Sequence, residues 1–528
     1  MLKISILLFI SFIIRLAGIN WDLGNHLHPD ERMLMMVANK IHFFDNLNPE
    51  FFNYGSLPIY ILKGAGQITD WIFKTNYSMY GEMLYLGRFL SVIADVGVIF
   101  LIYKISKLLF KRENVALLSS FFYMVAFFPI QNSHFFIVDT FLNLFLILLL
   151  YYSLLYFKKP DKNKLIILSI IFATCVTTKF TAVLFAPFLG AIIIYKSKKK
   201  FSNFLLFTSS FLLFTFLFMP YMFLEMGNFL KDVSLQLSLN NNPYIFPYTL
   251  QYVGTTPYLY YLKNIFFFGF GPVISVLSII GGIYFFKDLN EKKVQLKPLK
   301  IIFFVFFIFY FIVIGKSAVK FMRYMLPVYP FLVILASYSI LKAKKLHLRG
   351  VIRGVIIMAC LAVIWTFLFL TIYTKEHTRI TASDWIIKNI PRSSTLAVEH
   401  WDDRLPIFNG ENYIYEELAL YDQPDSEEKW LNIRNKLERS DYIIIASNRL
   451  YSPIQKLSSC AMYKVCFPIS SLYYKRLFSE ELGFKKVAEF TSYPNIKIGN
   501  FKFEINDDAA DESFTVYDHP KVMIFKKI

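Results

Sequence analysis

The sequence predicts a polytopic α-helical membrane protein of about 11 transmembrane helices with a C-terminal soluble α/β domain. Three observations carry that expectation. Of 528 residues, 56% are hydrophobic and only 18% charged, a balance too apolar for a string of soluble domains. Apolar stretches of bilayer length recur through the first two thirds of the chain, where a helix needs about 20 residues to cross the hydrocarbon. Beyond Tyr373 charged and apolar side chains mix, with no further run of that length.

Taken in order, the apolar segments lie at residues 3–19, 84–103, 114–131, 135–156, 164–178, 180–195, 203–223, 265–286, 299–315, 323–341 and 352–373. The first starts with the basic Met1-Leu2-Lys3, but no small-residue cleavage site follows and Arg15 interrupts its core, so it is expected to remain a span. The fifth and sixth are short and meet at Thr177-Thr178-Lys179, a candidate broken hairpin. Basic residues gather in alternate loops: Lys104, Lys107, Lys111 and Arg112; Lys158, Lys159, Lys162 and Lys164; Lys196, Lys198, Lys199 and Lys200; Lys287, Lys292, Lys293, Lys297 and Lys300; Lys342, Lys344, Lys345, Arg349 and Arg353. The positive-inside rule makes these loops cytoplasmic. The expected protein therefore sits in the cell (cytoplasmic) membrane with its N-terminus inside and everything after about residue 374 outside. With the net charge of +18 explained by loop placement, nucleic acid is not an expected partner.

The loop at 20–82 is too long for a mere connection and reads as membrane-surface helices. Within His28-Pro29-Asp30-Glu31, Pro29 suits the first helical position and the two acids suit the positive end of the helix dipole. Met33, Met36, Val37, Ile41 and Phe44 then share a face expected to lie on the bilayer. Successive helical residues diverge by about 100°, so Asp30 and Glu31 cannot address one atom and need separate roles. Gly55-Ser56-Leu57-Pro58 interrupts the pattern before a second surface helix over Ile59–Phe73.

Other polar groups fall on the same outer side. Gln131-Asn132-Ser133-His134 precedes Asp139, which either caps its helix or faces a substrate. Lys179 occupies the tight turn after the fifth span, and Lys316, Lys320 and Arg323 lie between the ninth and tenth. Each cation has a plain reading as a snorkelling anchor. Together, acids beside cations suit a substrate that carries a phosphate and an activated group, since Arg grips phosphate bidentately and Lys adds a point charge.

In order along the chain, the Asp30-Glu31 pair, His134 to Asp139-Thr140, Thr178-Lys179-Phe180-Thr181 and Arg323-Tyr324-Met325-Leu326-Pro327 resemble the prokaryotic relatives of dolichyl-phosphate-mannose protein mannosyltransferases, which are C-type glycosyltransferases. The resemblance covers about residues 1–345 and implies the C-type glycosyltransferase fold. It also implies transfer of a sugar from a polyprenyl-phosphate donor to a hydroxyl acceptor at the outer membrane face. On this likeness Asp30 is the base, Glu31 orients acceptor or donor or helps to hold a divalent cation, and Asp139 contacts the sugar or assists the base. Arg323 and Lys320 neutralise the departing phosphate, with Lys179 a further candidate. His28, His134 and Tyr324 complete the substrate-binding set. The two histidines have no fixed ligand spacing, so hydrogen bonding is preferred over metal ligation. Sugar, acceptor and metal requirement stay open.

Residues 1–375 form the expected membrane domain and 376–528 the extracytoplasmic one. In the latter, Thr395–Glu399 and Asp441–Ala446 read as buried strands with an amphipathic helix over Ser426–Leu437 between them. Val516–Phe525, containing Asp518-His519-Pro520, resembles the ending of related bacterial membrane proteins. Glu399-His400-Trp401-Asp402-Asp403-Arg404 suits either a sugar site or a surface turn. Cys175 and Cys360 fall in spans and read as packing residues, whereas Cys460 and Cys466 are close enough in sequence for an oxidising compartment to permit a disulfide. Asp95, inside the second span, keeps a transporter or flippase open as the alternative function.

Overall fold

A computed structural model describes residues 2–43, 45–291, 296–345 and 350–528. Phe44, Lys292, Lys293 and Arg349, and the side chains of Lys344 and Lys345, lie outside the described residues. The chain divides into two compact units. One comprises Met1–Asn20, His28–Ser238 and Thr256–Phe367; the other joins Trp21–Leu27 and Leu239–Thr255 to Leu368–Ile528.

The first unit is helical. Its helices are α1 (Leu2–Leu16), α2 (Pro29–Lys40), α3 (Leu57–Phe73), α4 (Tyr80–Phe110), α5 (Glu113–Met124), α6 (Phe127–Ser133), α7 (Val138–Lys158), α8 (Lys162–Thr178), α9 (Ala186–Lys196) and α10 (Lys200–Phe218). There follow α11 (Tyr221–Leu224), α12 (Met226–Asn241), α13 (Leu259–Asn264), α14 (Pro272–Asn290), α15 (Lys297–Gly315), α16 (Tyr329–Lys345) and α17 (Val351–Leu370). Each expected span has a helical counterpart. Among the described residues, seven helices are long and apolar enough to cross a membrane, or eight if α5 and α6, bent by 62°, form one broken span. The shortfall from 11 reflects length: α1 has 15 residues, α8 has 17 and α9 has 11, short of the about 20 that cross the hydrocarbon.

The α2 helix departs from its expected face. Leu34, Met35, Ala38 and Ile41 are buried in a cluster with Ile59, Leu62, Met83 and Phe136, whereas Met33 and Met36 point outward. Two apolar stripes run along this helix, and the one holding Leu34 and Met35 faces the protein. A buried charge pair ties the last turn of α1 to the middle of α4. Arg15 Nε lies 2.6 Å from Asp95 Oδ2, both fully buried, and the Tyr123 hydroxyl donates to the other Asp95 oxygen at 2.7 Å. Asp95 is thus the counter-ion of the arginine that interrupts the first apolar segment.

The second unit is the expected α/β domain. After α18 (Thr378–Asn389), strands β1 (Thr395–Glu399), β2 (Ile414–Leu418) and β3 (Tyr442–Ile445) precede β4 (Phe484–Phe490), β5 (Asn495–Ile498), β6 (Phe501–Glu504) and β7 (Val522–Lys527). A five-stranded sheet runs β2-β1-β3-β7-β4, with β1 parallel to β2 and β3, and β7 antiparallel to β3 and β4. The predicted central helix is α19 (Glu427–Arg439), N-capped by Ser426; its buried Trp430, Ile433 and Leu437 pack with Ala397 and Ile443. Short β2 was missed because its residues alternate too weakly in burial to read as a core strand. α20 (Tyr451–Lys456), α21 (Pro468–Phe478) and α22 (Glu512–Thr515) complete the unit, and β5 pairs with β6 as a separate hairpin. Cys460 and Cys466 are bonded, whereas Cys360 is exposed on α17 and is not the packing residue expected of it.

Candidate active site

Four charged side chains from four segments form an alternating ladder in the first unit. Arg323 Nη2 lies 2.8 Å from Asp30 Oδ2, Arg323 Nε lies 3.6 Å from Asp139 Oδ2, and Lys179 Nζ donates to Asp139 Oδ1 at 2.8 Å. Asp139 is only 4% exposed at its side chain and Asp30 is 24% exposed, so the ladder is buried in its middle and most open at the Asp30 end.

Local structure explains each placement. The imidazole Nδ1 of buried His28 accepts the Asp30 amide, capping α2 so that Asp30 occupies its first turn behind Pro29. Asp139 likewise sits in the first turn of α7, but the N-cap there is Ile137 and no side chain caps the helix. Its carboxylate is spent on Lys179 and Arg323, which removes the simple capping role. At the end of α8 the backbone becomes extended at Lys179 (φ −151°, ψ 118°), and the ammonium also lies 4.2 Å from the Tyr324 ring centroid. Arg323 and Tyr324 belong to a 3₁₀ turn over Met322–Val328, held where the Tyr310 hydroxyl donates to the Tyr324 carbonyl at 2.6 Å.

Glu31 takes another direction, as the helical divergence from Asp30 requires. It forms a bidentate pair with Arg88 of α4, at 3.0 and 2.8 Å, with both side chains fully buried, and it accepts the Phe136 amide at 2.7 Å. Glu31, expected among the catalytic acids, is thus a buried carboxylate held between the Arg88 guanidinium and the Phe136 amide. Both histidines, expected in the substrate-binding set with hydrogen bonding preferred over metal ligation, make hydrogen bonds to backbone: His28 caps α2, and His134 places its ring nitrogens 2.9 Å from the Ile130 carbonyl and 2.8 Å from that of Ala17. Lys320, 3% exposed, donates to the Ala318 carbonyl. Among the described residues, no group of three His, Cys, Asp or Glu side chains could hold a metal ion.

Three site residues escaped the sequence reading. Tyr54 lies in the field of Asp30, Arg323, Tyr324 and Asp139; burial, then the Asp30 carboxylate, pushes its hydroxyl well above the usual phenol range. Gly55 donates its amide to the Thr178 carbonyl at 3.0 Å, and a Cβ there would stand 1.9 Å from the Thr177 carbonyl oxygen. Only glycine lets the 53–56 segment approach the end of α8. Arg88 carried a legible signal: a lone arginine inside an apolar span demands an acid partner.

In the second unit, the acids of the 399–404 patch are engaged. Arg379 holds Asp402 at 2.8 Å and Asp403 at 2.6 Å, and Glu399 accepts the Tyr474 hydroxyl. Trp401 is 40% exposed at φ 85°. In the 516–525 ending, Asp518 accepts the Tyr373 hydroxyl at 2.7 Å, and His519 lies between Asp518 and Asp507. These residues join β7 to the chain entering α18.

Among solved structures, the chain is similar to an oligosaccharyltransferase of Archaeoglobus fulgidus (14% identity, TM-score 0.47, covering 85% of this chain and 69% of that one). It is also similar to ArnT from Cupriavidus metallidurans bound to undecaprenyl phosphate (13%, 0.47, 86% and 94%) and to the mycobacterial arabinofuranosyltransferase AftD (11%, 0.42, 98% and 41%). No curated protein matches the sequence. Residues 67–223, which contain Arg88, His134, Asp139 and Lys179, match the family described as dolichyl-phosphate-mannose-protein mannosyltransferase, and over those residues the resemblance read from the motifs holds.

Proposed function

We propose that this protein transfers a sugar from a polyprenyl-phosphate donor to a hydroxyl acceptor at the outer face of the cell membrane. The observation that carries this reading is the Asp30–Arg323–Asp139–Lys179 ladder, two acids and two cations at the ends of apolar helices. In the reaction, the acceptor oxygen bonds to the anomeric carbon while the bond from that carbon to the phosphate oxygen breaks. The lipid phosphate leaves with the electron pair, and the acceptor proton passes to the Asp30 carboxylate. Arg323 and Lys179 are the cations placed to stabilise the leaving phosphate. A phosphate entering the ladder competes with Asp30 for Arg323, so donor binding itself frees the base. Asp139 holds both cations in place, and Glu31, through Arg88, fixes the helix that carries Asp30. The family match supports glycosyl transfer as the chemistry. The transporter alternative loses its motive, because Asp95 is paired with Arg15.

The test is transfer by purified protein in lipid nanodiscs, across a panel of polyprenyl-phosphate sugars and hydroxyl acceptors. Asp30→Asn should abolish transfer while the protein stays folded and membrane-inserted; wild-type turnover by that variant removes Asp30 as base. Uptake into vesicles without any transfer would reinstate a transporter.

A further inference from the structure

The β5–β6 hairpin of the second unit has two unlike faces. Its register pairs Asn495 with Glu504, Ile496 with Phe503, Lys497 with Lys502 and Ile498 with Phe501. Cross-strand partners share a face and neighbours alternate, so Ile496, Phe501 and Phe503 lie on one side and Asn495, Lys497, Lys502 and Glu504 on the other. Gly499, at φ 58°, opens the tight turn between the strands. The polar side carries its own ion pair, Lys502 to Glu504 at 2.7 Å. The apolar side is bare: Ile496 is 38% exposed, Phe503 47% and Phe501 64%. An amphipathic hairpin with uncovered aromatic rings is costly to leave in water.

What covers it follows from where it is tied. The Asn495 amide donates to the Thr371 hydroxyl at 3.1 Å, and the Lys375 ammonium donates to the Tyr493 carbonyl at 3.1 Å. Thr371 is the first residue after α17, the last apolar helix, so the root of the hairpin is fixed within one turn of the end of a helix apolar enough to cross a membrane. Strands of four residues reach about 13 Å from that root. The headgroup layer beside the hydrocarbon is about 5–8 Å thick, so the tip is within range of it.

We propose that the β5–β6 hairpin docks on the lipid bilayer at the C-terminal end of α17, with Ile496, Phe501 and Phe503 entering the boundary between headgroups and acyl chains. The polar face remains in water. The hairpin thereby holds the second unit down on the membrane, whatever chemistry the first unit performs.

Full-length protein in nanodiscs provides the test. With Cys360→Ser removing the exposed thiol, Phe501→Cys and, separately, Phe503→Cys are labelled with bimane; Cys175 is buried and Cys460 is bonded to Cys466. The control label is Ile414→Cys on β2, 56% exposed. A shallow spin-labelled lipid should quench the 501 and 503 labels at least about threefold more than the control, consistent with interfacial depth. Aqueous iodide should quench mainly the control. Iodide quenching at 501 and 503 without lipid quenching overturns the proposal, and so does protection from both quenchers, which would mean a protein partner covers the face.

Discussion

Glu31 and Arg88 meet across 57 residues of sequence and are sealed from solvent. Breaking such a buried pair from one side leaves a charge without compensation, at a cost of about 3–5 kcal/mol. Arg88→Ala should therefore lower the thermal midpoint of the detergent-solubilised protein steeply and take activity with it. Arg88→Lys should rescue it only in part, because a single ammonium cannot reproduce the fork of two bonds. A midpoint for Arg88→Ala equal to wild type would show that the pair does not hold α2. Asp30 is the contrasting case: it is the more exposed acid, so Asp30→Asn is expected to silence transfer with little change in melting. The sequence exposed both acids and the need for separate roles. It hid the division of labour, because pairing with Arg88 is a tertiary fact that neither residue's neighbours encode.

At the scale of the elements, the candidate site hangs on where helices start and stop. Asp30 and Asp139 lie in first turns, Lys179 at a helix exit and Arg323 in a 3₁₀ turn. Such boundaries were legible because Pro29, the polar run before Asp139 and the Thr177-Thr178-Lys179 break each interrupt an apolar period. The burial of α2 was not legible, since two apolar stripes compete on one short helix and only packing chooses between them. Gly55 was read as a break and is in fact a contact. Gly55→Ala should push the 53–56 segment off the end of α8, displacing Tyr54 and Lys179, and cut transfer at least about tenfold for a shift of about 1.4 kcal/mol or more in the barrier. Unchanged turnover by Gly55→Ala would show that this close approach is not needed. In the second unit, burial alone would lower the basicity of His519, but Asp518 and then Asp507 override it and push its pKa from 6.5 up to about 10. Because the folded value lies above the unfolded one, the stabilisation is complete below pH 6.5 and is lost as pH rises through about 10. Thermal melts of the full protein should show the second unit weakening over that window, and a flat profile would contradict the assignment.

For the whole molecule, the apolar composition predicted a membrane protein and the structure supplies the apolar helices, with Arg15 and Asp95 buried together among them. Exchanging the two charges tests that pairing: Arg15→Asp or Asp95→Arg alone should sharply reduce the amount of folded protein recovered from membranes. The double exchange should restore a good part of it, and no restoration would mean that direction-specific bonds such as Tyr123 to Asp95 matter more than charge. The same pair has a meaning for biosynthesis. When the ribosome has delivered α1 but not yet α4, an arginine is waiting in or beside the lipid for a carboxylate 80 residues further along the chain. The earliest helix therefore gains its counter-charge only once the nascent chain has been extended past Asp95.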